Sequence, residues 1–291
     1  MDFFLIDGFN MCFRSFYAMP ELTRSDGFPT GALHAFFAGI LKLCSQDAPH
    51  ATAVFFDRGG SARHREIFPE YKANRAKMPD ALRAQMPAVM ELCSLMGFCV
   101  VSSEGVEADD LIASACEKLA PGGKISIASA DKDFAQLVRP GVRQLLPPLK
   151  SSLGWRELDT VGVRLKFGVS AAQIPDYLAL VGDAADNIPG LEGVGPKTAA
   201  KWLKDFGDID TIIRRAGWLK PEKFRGIVAE GEAALRRNLE LVTLDRTCET
   251  GEFSPRSPDF GAVGEFLKKM EMKRAVSSLE KFAREQYQTG I

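Results

Sequence analysis

Histidine is scarce, with three residues in the chain, and the six cysteines at 12, 44, 93, 99, 116 and 248 include no C-x-x-C pair. A structural zinc site and a disulfide scaffold are therefore disfavoured, and a reducing cytoplasm fits. No run approaches the ~20 apolar residues that a membrane-spanning helix needs. The opening MDFFLIDG lacks the basic start and cleavage site of a signal peptide, so neither a membrane nor a secreted protein is expected. An excess of one charge is also missing: 37 basic against 38 acidic residues leave a formal charge of −1. Any nucleic-acid binding must then come from local patches. Internal repeats and low-complexity tracts are absent as well. What the chain does have is 291 residues, 46% of them hydrophobic. That is enough for a sizeable core, in two domains or in one with an appendage.

Short apolar runs alternate with helical patterns through the first half. Phe3 to Ile6, Ala53 to Phe56, Phe98 to Val101 and Ile125 to Ala128 read as buried strands, the pattern of a mainly parallel α/β sheet flanked by helices. Thr30 to Leu43 and Leu82 to Met96 carry helical spacing, and Leu111, Ile112, Ala115, Cys116 and Leu119 mark one face of another helix. The stretch from Arg58 to Pro79 is basic with little apolar periodicity, which predicts a loop or helical excursion outside the core. The pattern breaks at Pro147 and Pro148, and from about Val161 the chain reads as helices joined by Gly/Pro/Asp turns. This predicts a first domain over 1–160 and a helical second domain over 161–291, closed by a packing helix from Phe266 to Tyr287.

Ligands bind at the carboxyl ends of parallel strands, and three predicted strands run into Asp7, Asp57 and Asp131, with Asp133 two residues on. Behind Val101, the loop leads into Glu107-Ala108-Asp109-Asp110 at a helix start. An Asp after a strand commonly serves as a turn former or helix cap, and Asp133 could do no more than that. Coincidence across four strand ends weakens such a reading. Clustered carboxylates raise one another's pKa and oppose folding, so cations must compensate. Oxygen donors without nearby His or Cys suit Mg²⁺ or Mn²⁺.

Further along, Asp183 and Asp186 stand three residues apart, followed by Gly193-Val194-Gly195-Pro196-Lys197-Thr198-Ala199-Ala200-Lys201. Glycine turns admit a phosphate to backbone N–H groups, the helix start adds positive dipole, and Lys197 and Lys201 add charge. Such a helix-hairpin-helix holds a nucleic-acid backbone without reading bases. Pro196 between Gly195 and Lys197 rules against a Walker A loop. An aspartyl-nucleophile phosphatase usually wants a second Asp two residues after the first, where Phe9 stands.

Leu5-Ile6-Asp7-Gly8, Phe55-Phe56-Asp57, Tyr71-Lys72-Ala73-Asn74-Arg75, Glu107 to Asp110, Ala130-Asp131-Lys132-Asp133, and Gly182 to Ala199 stand in this order along the chain. Together they resemble bacterial 5′-to-3′ exonucleases of the flap endonuclease family, as found at the amino terminus of DNA polymerase I. The resemblance implies a metal-dependent nuclease core over 1–160 with a helical arch at about 58–95, and a duplex-binding helix-hairpin-helix near 182–204. It implies cutting of 5′ ends and flaps, in DNA and in RNA primers, during replication and repair. Asp7, Asp57, Glu107, Asp109 and Asp110 would surround a first Mg²⁺ or Mn²⁺, and Asp131, Asp133, Asp183 and Asp186 a second. Lys72 and Arg75 would act at the arch base as catalytic cations. Tyr71 would stack on a displaced base or pack the arch. Gly193, Gly195, Lys197, Thr198 and Lys201 would hold duplex DNA, with a K⁺ ion on backbone carbonyls. Expected partners are DNA with a nick, flap or 5′ end, RNA–DNA junctions, and a polymerase in cis or trans. One departure lies at Ser61-Ala62-Arg63-His64-Arg65, where the family often has an aromatic followed by Arg. Which of these basic residues serves the scissile phosphate is left open. A different class of reading is a structure-selective DNA-binding module or polymerase-associated scaffold without catalysis, which predicts gaps in the carboxylate set. None is found.

Overall fold

The computed structural model describes residues 1–289 except 20, 48, 149–152 and 254–255. The last two residues of the predicted second domain therefore lie outside the described residues. The chain begins with β1 (Asp2–Asp7), α1 (Gly8–Ala18), α2 (Gly31–Gln46), β2 (Ala51–Phe55), α3 (Ala62–Ile67), α4 (Asp80–Leu95), β3 (Cys99–Val101) and α5 (Ala108–Leu119). It continues with β4 (Lys124–Ala128), β5 (Val142–Leu146) and β6 (Arg156–Leu158). The sheet order is β3-β2-β1-β4-β5-β6, parallel except for β6, which runs against β5. The strand order reverses between β1 and β4, and in open α/β sheets ligands gather outside that switch point.

Side chains alternate across β1. Phe4 and Ile6 join the apolar layer under α2 and α4, whereas Phe3 and Leu5 join the layer under α5. Both faces are covered, which is why the strands read as continuous apolar runs rather than alternating ones. The strand register sets the carboxylates on one rim: Asp7 pairs with Phe55, and Ile6 with Ala128, so Asp57 and the segment after Ser129 emerge beside Asp7.

After β6 come α6 (Thr160–Phe167), α7 (Ile174–Val181), β7 (Gly182–Asp183), β8 (Ile188–Pro189), α8 (Pro196–Phe206), α9 (Ile209–Arg214), α10 (Phe224–Glu230) and α11 (Glu232–Val242). These helices share a separate core around Leu178, Leu180, Trp202, Leu203 and Leu235. Gly182 and Gly190 approach so closely that a Cβ on Gly190 would lie 2.2 Å from the Val181 carbonyl oxygen. That contact keeps the short β7–β8 ladder tight under the loop carrying Asp183 and Asp186.

The structure corrects several expectations. β5 and β6 carry no clear apolar run, and α1 follows β1 without a linker, so apolar periodicity announces none of the three. The terminal stretch is two helices, α12 (Phe260–Lys269) and α13 (Lys273–Thr289), broken where Glu271 adopts φ 57°. Their apolar residues Val263, Phe266, Leu267 and Leu279 pack against the α2–α4 layer of the sheet, not against the second helical core with which the sequence grouped them. The basic stretch is not wholly outside the core either, since His64 and Tyr71 are buried. No described helix is long and apolar enough to cross a membrane.

Candidate active site

The acidic rim is assembled from strand ends and helix starts. Asp7 closes β1 and caps α1: its Oδ1 accepts the Asn10 N–H at 3.0 Å, and its Oδ2 accepts the Ser129 hydroxyl at 2.8 Å. Burial, reinforced by Asp131 and Asp57, nonetheless pushes its carboxyl up to about 7. Asp57 Oδ1 accepts the Ala108 N–H at 2.6 Å, pinning the end of β2 to the first turn of α5. Burial raises the Asp57 pKa despite that bond. Asp109 is raised well above the ordinary carboxylate range, chiefly by burial and then by Asp7 and Asp131. Asp131 Oδ1 accepts the Asp133 N–H at 3.0 Å and is raised by burial, with Asp186 and Asp183 adding to the shift.

A second cluster lies beside it. One oxygen of each of Asp133, Asp183 and Asp186 falls within 4.8 Å of the others, and all three residues are buried. Oδ1 of Asp133 is withdrawn from solvent without any hydrogen-bond partner. An unsatisfied buried carboxylate oxygen costs free energy unless something coordinates it. The donor set is entirely oxygen, the chemistry of Mg²⁺ or Mn²⁺. These residues fit a hard divalent cation.

Protein cations already compensate part of the charge. Lys132 Nζ lies 2.9 Å from Asp183 Oδ1. Lys72 Nζ lies 2.8 Å from Glu107 Oε1 and 3.7 Å from Asp186 Oδ2, and Arg75 pairs with Asp186 Oδ1. Burial would raise the Glu107 pKa, but His64 and Lys72 win and hold it down at about 2. The Tyr71 hydroxyl donates to Glu107 Oε2 at 3.0 Å and reaches Asp186 Oδ2 at 3.3 Å. With 8% exposure Tyr71 is no free stacking platform; it packs the base of the arch.

Asp110 is held differently from Asp7 and Asp131. Its Oδ1 accepts the Asp245 N–H at 2.8 Å, and the acidic neighbours that act on it are Glu107 and Asp245. Successive helical side chains diverge by about 100°, so Asp109 and Asp110 face different surroundings. Asn10 and Ser129, which orient Asp7 and the Ala130–Asp131 turn, carry no sequence signal of their own. Lys132 could have been suspected from its place between two aspartates.

In the helical part, Gly193 adopts φ 70° and Gly195 precedes α8 without a side-chain cap. The first-turn N–H groups therefore have no side-chain acceptor at the cap. Lys197 is exposed, Thr198 half-buried, and Lys201 exposed but paired with Asp205 at 2.7 Å.

A family model described as 5′-3′ exonuclease, N-terminal resolvase-like domain matches residues 2–168, and one described as 5′-3′ exonuclease, C-terminal SAM fold matches 169–258. The chain belongs to the 5′-3′ exonuclease family. It is a metal-dependent nuclease related to the nuclease domain of DNA polymerase I. A 5′-3′ exonuclease of Aquifex aeolicus is 36% identical over 297 residues, covering 99% of this chain and 98% of its own. DNA polymerase I of Caldicellulosiruptor bescii is 39% identical over 248 residues, but the match spans 29% of that protein. Among solved structures, the phage T5 D15 flap endonuclease, in a pseudo-enzyme-product complex with DNA and metal ions, is 25% identical with a TM-score of 0.68. The match covers 99% of this chain and 98% of that one. The T5 D15 protein co-crystallised with metal ions shares the fold at 23% identity and a TM-score of 0.71, with 99% of each chain covered.

Proposed function

We propose that this nuclease is a structure-selective 5′-3′ exonuclease and 5′-flap endonuclease acting on DNA, and on RNA primers joined to it, in primer removal and repair. The observation that carries the reading is the meeting of two acidic clusters, one at the sheet switch point and one from the Asp183–Asp186 loop, under the cations Lys72 and Arg75. Asp7, Asp57, Glu107, Asp109 and Asp131 would hold one divalent ion, directly or through water, and Asp131, Asp133, Asp183 and Asp186 a second. Two such ions, when bound, supply an ionised water and neutralise charge on the attacking and leaving oxygens. Lys72 and Arg75 stabilise negative charge on the phosphoryl oxygens, the guanidinium being able to grip two at once. The Gly193–Lys201 hairpin offers N–H groups and lysines to the backbone of the duplex. The domain division follows: a cutting unit over 1–160 and a duplex-holding unit from 161, with α12 and α13 belonging physically to the first.

The test is digestion of an end-labelled panel, single-stranded, blunt, nicked and 5′-flapped, with and without Mg²⁺, and with product ends mapped. Metal-dependent cutting at the flap junction that leaves 5′-phosphates is expected, and Asp131→Asn should abolish it. Cleavage indifferent to metal, or starting from 3′ ends, would refute the reading.

A further inference from the structure

The three side chains of the basic run Arg63-His64-Arg65 go to different places. Arg63 reaches Glu240 at 3.6 Å and Asp245 at 3.7 Å, long and exposed ion pairs of the kind that contribute little stability. Arg65 donates to the Gly59 carbonyl at 3.1 Å. His64 alone turns inward, with 3% exposure. Its N–H is capped by the Ser61 hydroxyl at 3.1 Å, and its ring centroid lies 4.8 Å from that of Tyr71. Its Nδ1 is buried and has no well-formed hydrogen bond. The carboxylate within ion-pair distance of it is Glu107, whose Oε2 lies 3.4 Å away; Asp110 is also near the ring.

A histidine that merely filled space would be expected to have its polar atoms satisfied or to be replaced by an apolar residue, since an orphaned buried donor costs about 1–3 kcal/mol. Here the orphan is aimed at the residue immediately before α5. Glu107 Oε2 also accepts the Tyr71 hydroxyl, while Oε1 meets Lys72. The two oxygens are thus divided between two sets of partners. Ligand carboxylates are oriented by such outer contacts, and bonds that are long without ligands tighten once the site is loaded.

We propose that His64 is a positioning residue: with its proton on Nδ1, it fixes Oε2 of Glu107 together with Tyr71, and so sets the direction in which Oε1 faces Lys72 and the metal cluster. The assignment rests on the reading of Glu107 as part of the metal cage. It also gives the segment that departs from the family pattern a function that needs no contact with the phosphate.

The experiment compares His64→Phe, which keeps an aromatic ring without a donor, with His64→Asn, whose amide nitrogen can stand near Nδ1. Mn²⁺ binding is measured by calorimetry without DNA, the single-turnover rate on a 5′-flap in Mg²⁺, and flap affinity in Ca²⁺. His64→Phe should lose about tenfold or more in Mn²⁺ affinity, with a matching loss of rate and unchanged flap affinity. His64→Asn should recover most of both. In a Glu107→Gln background the difference between the two variants should vanish, and this comparison still decides the matter if His64→Phe proves unstable alone, because His64→Asn can be set against His64 itself. Equal Mn²⁺ affinity in the Phe and Asn variants, or effects that multiply with Glu107→Gln, would overturn the assignment. Wild-type protein that cuts flaps while His64→Phe is silent sinks only the role of His64. Wild-type protein that binds no Mn²⁺ and cuts nothing sinks the cage itself.

Discussion

Lys72 meets Asp186 with both its backbone and its side chain: the Lys72 N–H donates to the Asp186 carbonyl at 3.0 Å, and its ammonium lies 3.7 Å from Oδ2 of the same residue. Lys72 adopts φ 57°, a left-handed conformation unfavourable for a residue with a Cβ. It is held there by contacts on either side, since Asn74 Nδ2 donates to the Ala184 carbonyl at 2.8 Å and Asn187 Nδ2 to the Glu70 carbonyl at 2.7 Å. The arch base and the Asp183–Asp186 loop are therefore one assembled unit, although they lie far apart in the chain. The cation arrives at the carboxylates through backbone geometry as well as through charge.

Replacing Lys72 with Ala should consequently lower the single-turnover rate on a 5′-flap by about 10²–10³, the range for removing one preorganised charge-stabilising group. Affinity for the flap in Ca²⁺ should change little. A parallel fall in rate and affinity would make Lys72 a binding residue, and the two are separated by measuring them on the same preparation.

The stability of the metal-free protein should depend on pH in a direction fixed by the buried carboxyls. Asp7 is pushed from 3.8 up to about 7 by burial and neighbouring charge, and Asp109 and Asp133 are raised as well. Between those values the folded state keeps protons that the unfolded state has released, so stability falls as pH rises through this window. Glu107, lowered to about 2, acts oppositely, but only below its ordinary value of 4.5. Calorimetry in EDTA should show Tm declining from about pH 5 to about pH 7.5, and Mn²⁺ should restore it most at the upper end, where the cage is ionised. A metal-free Tm that rises over that interval would show that the carboxylates are not strained by proximity.

The strand-end carboxylates were legible because apolar runs stop abruptly at them, as Phe3 to Ile6 stop at Asp7. Phe266 to Tyr287 reads as one amphipathic helix, but neither its division into α12 and α13 nor its packing on α2 and α4 can be seen in sequence order. β5 was missed because Arg143 and Gln144 interrupt it; the structure buries Gln144, whose Nε2 donates to the Ser129 carbonyl at 3.0 Å, and so turns an apparent loop into core. The burial of His64 and Tyr71 could not be read locally, because their partners Glu107 and Asp186 lie far along the chain.

Gly8 offers a check on the strand-to-helix junction that aims Asp7. A Cβ there would lie 2.4 Å from a ring carbon of Phe56 and 2.7 Å from the Phe55 carbonyl oxygen. The carbonyl belongs to the central sheet and cannot move aside. Gly8→Ala should cost about 1–3 kcal/mol, as overpacked sites do, read as a lowered urea midpoint. The Asp7 carboxylate should also shift, weakening Mn²⁺ binding. An unchanged midpoint would mean that the junction has slack and does not set the position of Asp7.

Asp109 and Asp110 are adjacent and equally acidic, yet their neighbours assign them different work. Asp109 shares its surroundings with Asp7 and Asp131, whereas Asp110 Oδ1 accepts the Asp245 N–H and ties α5 to the turn after α11. That turn is further tied by Ser114, whose hydroxyl donates to the Asp245 carbonyl at 3.1 Å and accepts the Cys248 N–H at 2.9 Å. Asp109→Asn should weaken Mn²⁺ binding by about tenfold or more while raising the metal-free Tm at neutral pH, because it removes a carboxyl that folding forces to keep a proton the unfolded chain would release. Asp110→Asn keeps an oxygen for the Asp245 N–H and should be nearly silent in Mn²⁺ affinity, whereas Asp110→Ala leaves that N–H without its acceptor and should lose about 1–3 kcal/mol of stability. Metal titration and urea unfolding of the three variants distinguish the roles: if Asp110→Asn weakens Mn²⁺ as much as Asp109→Asn does, Asp110 belongs to the cage and its bond to Asp245 must break when the ion enters.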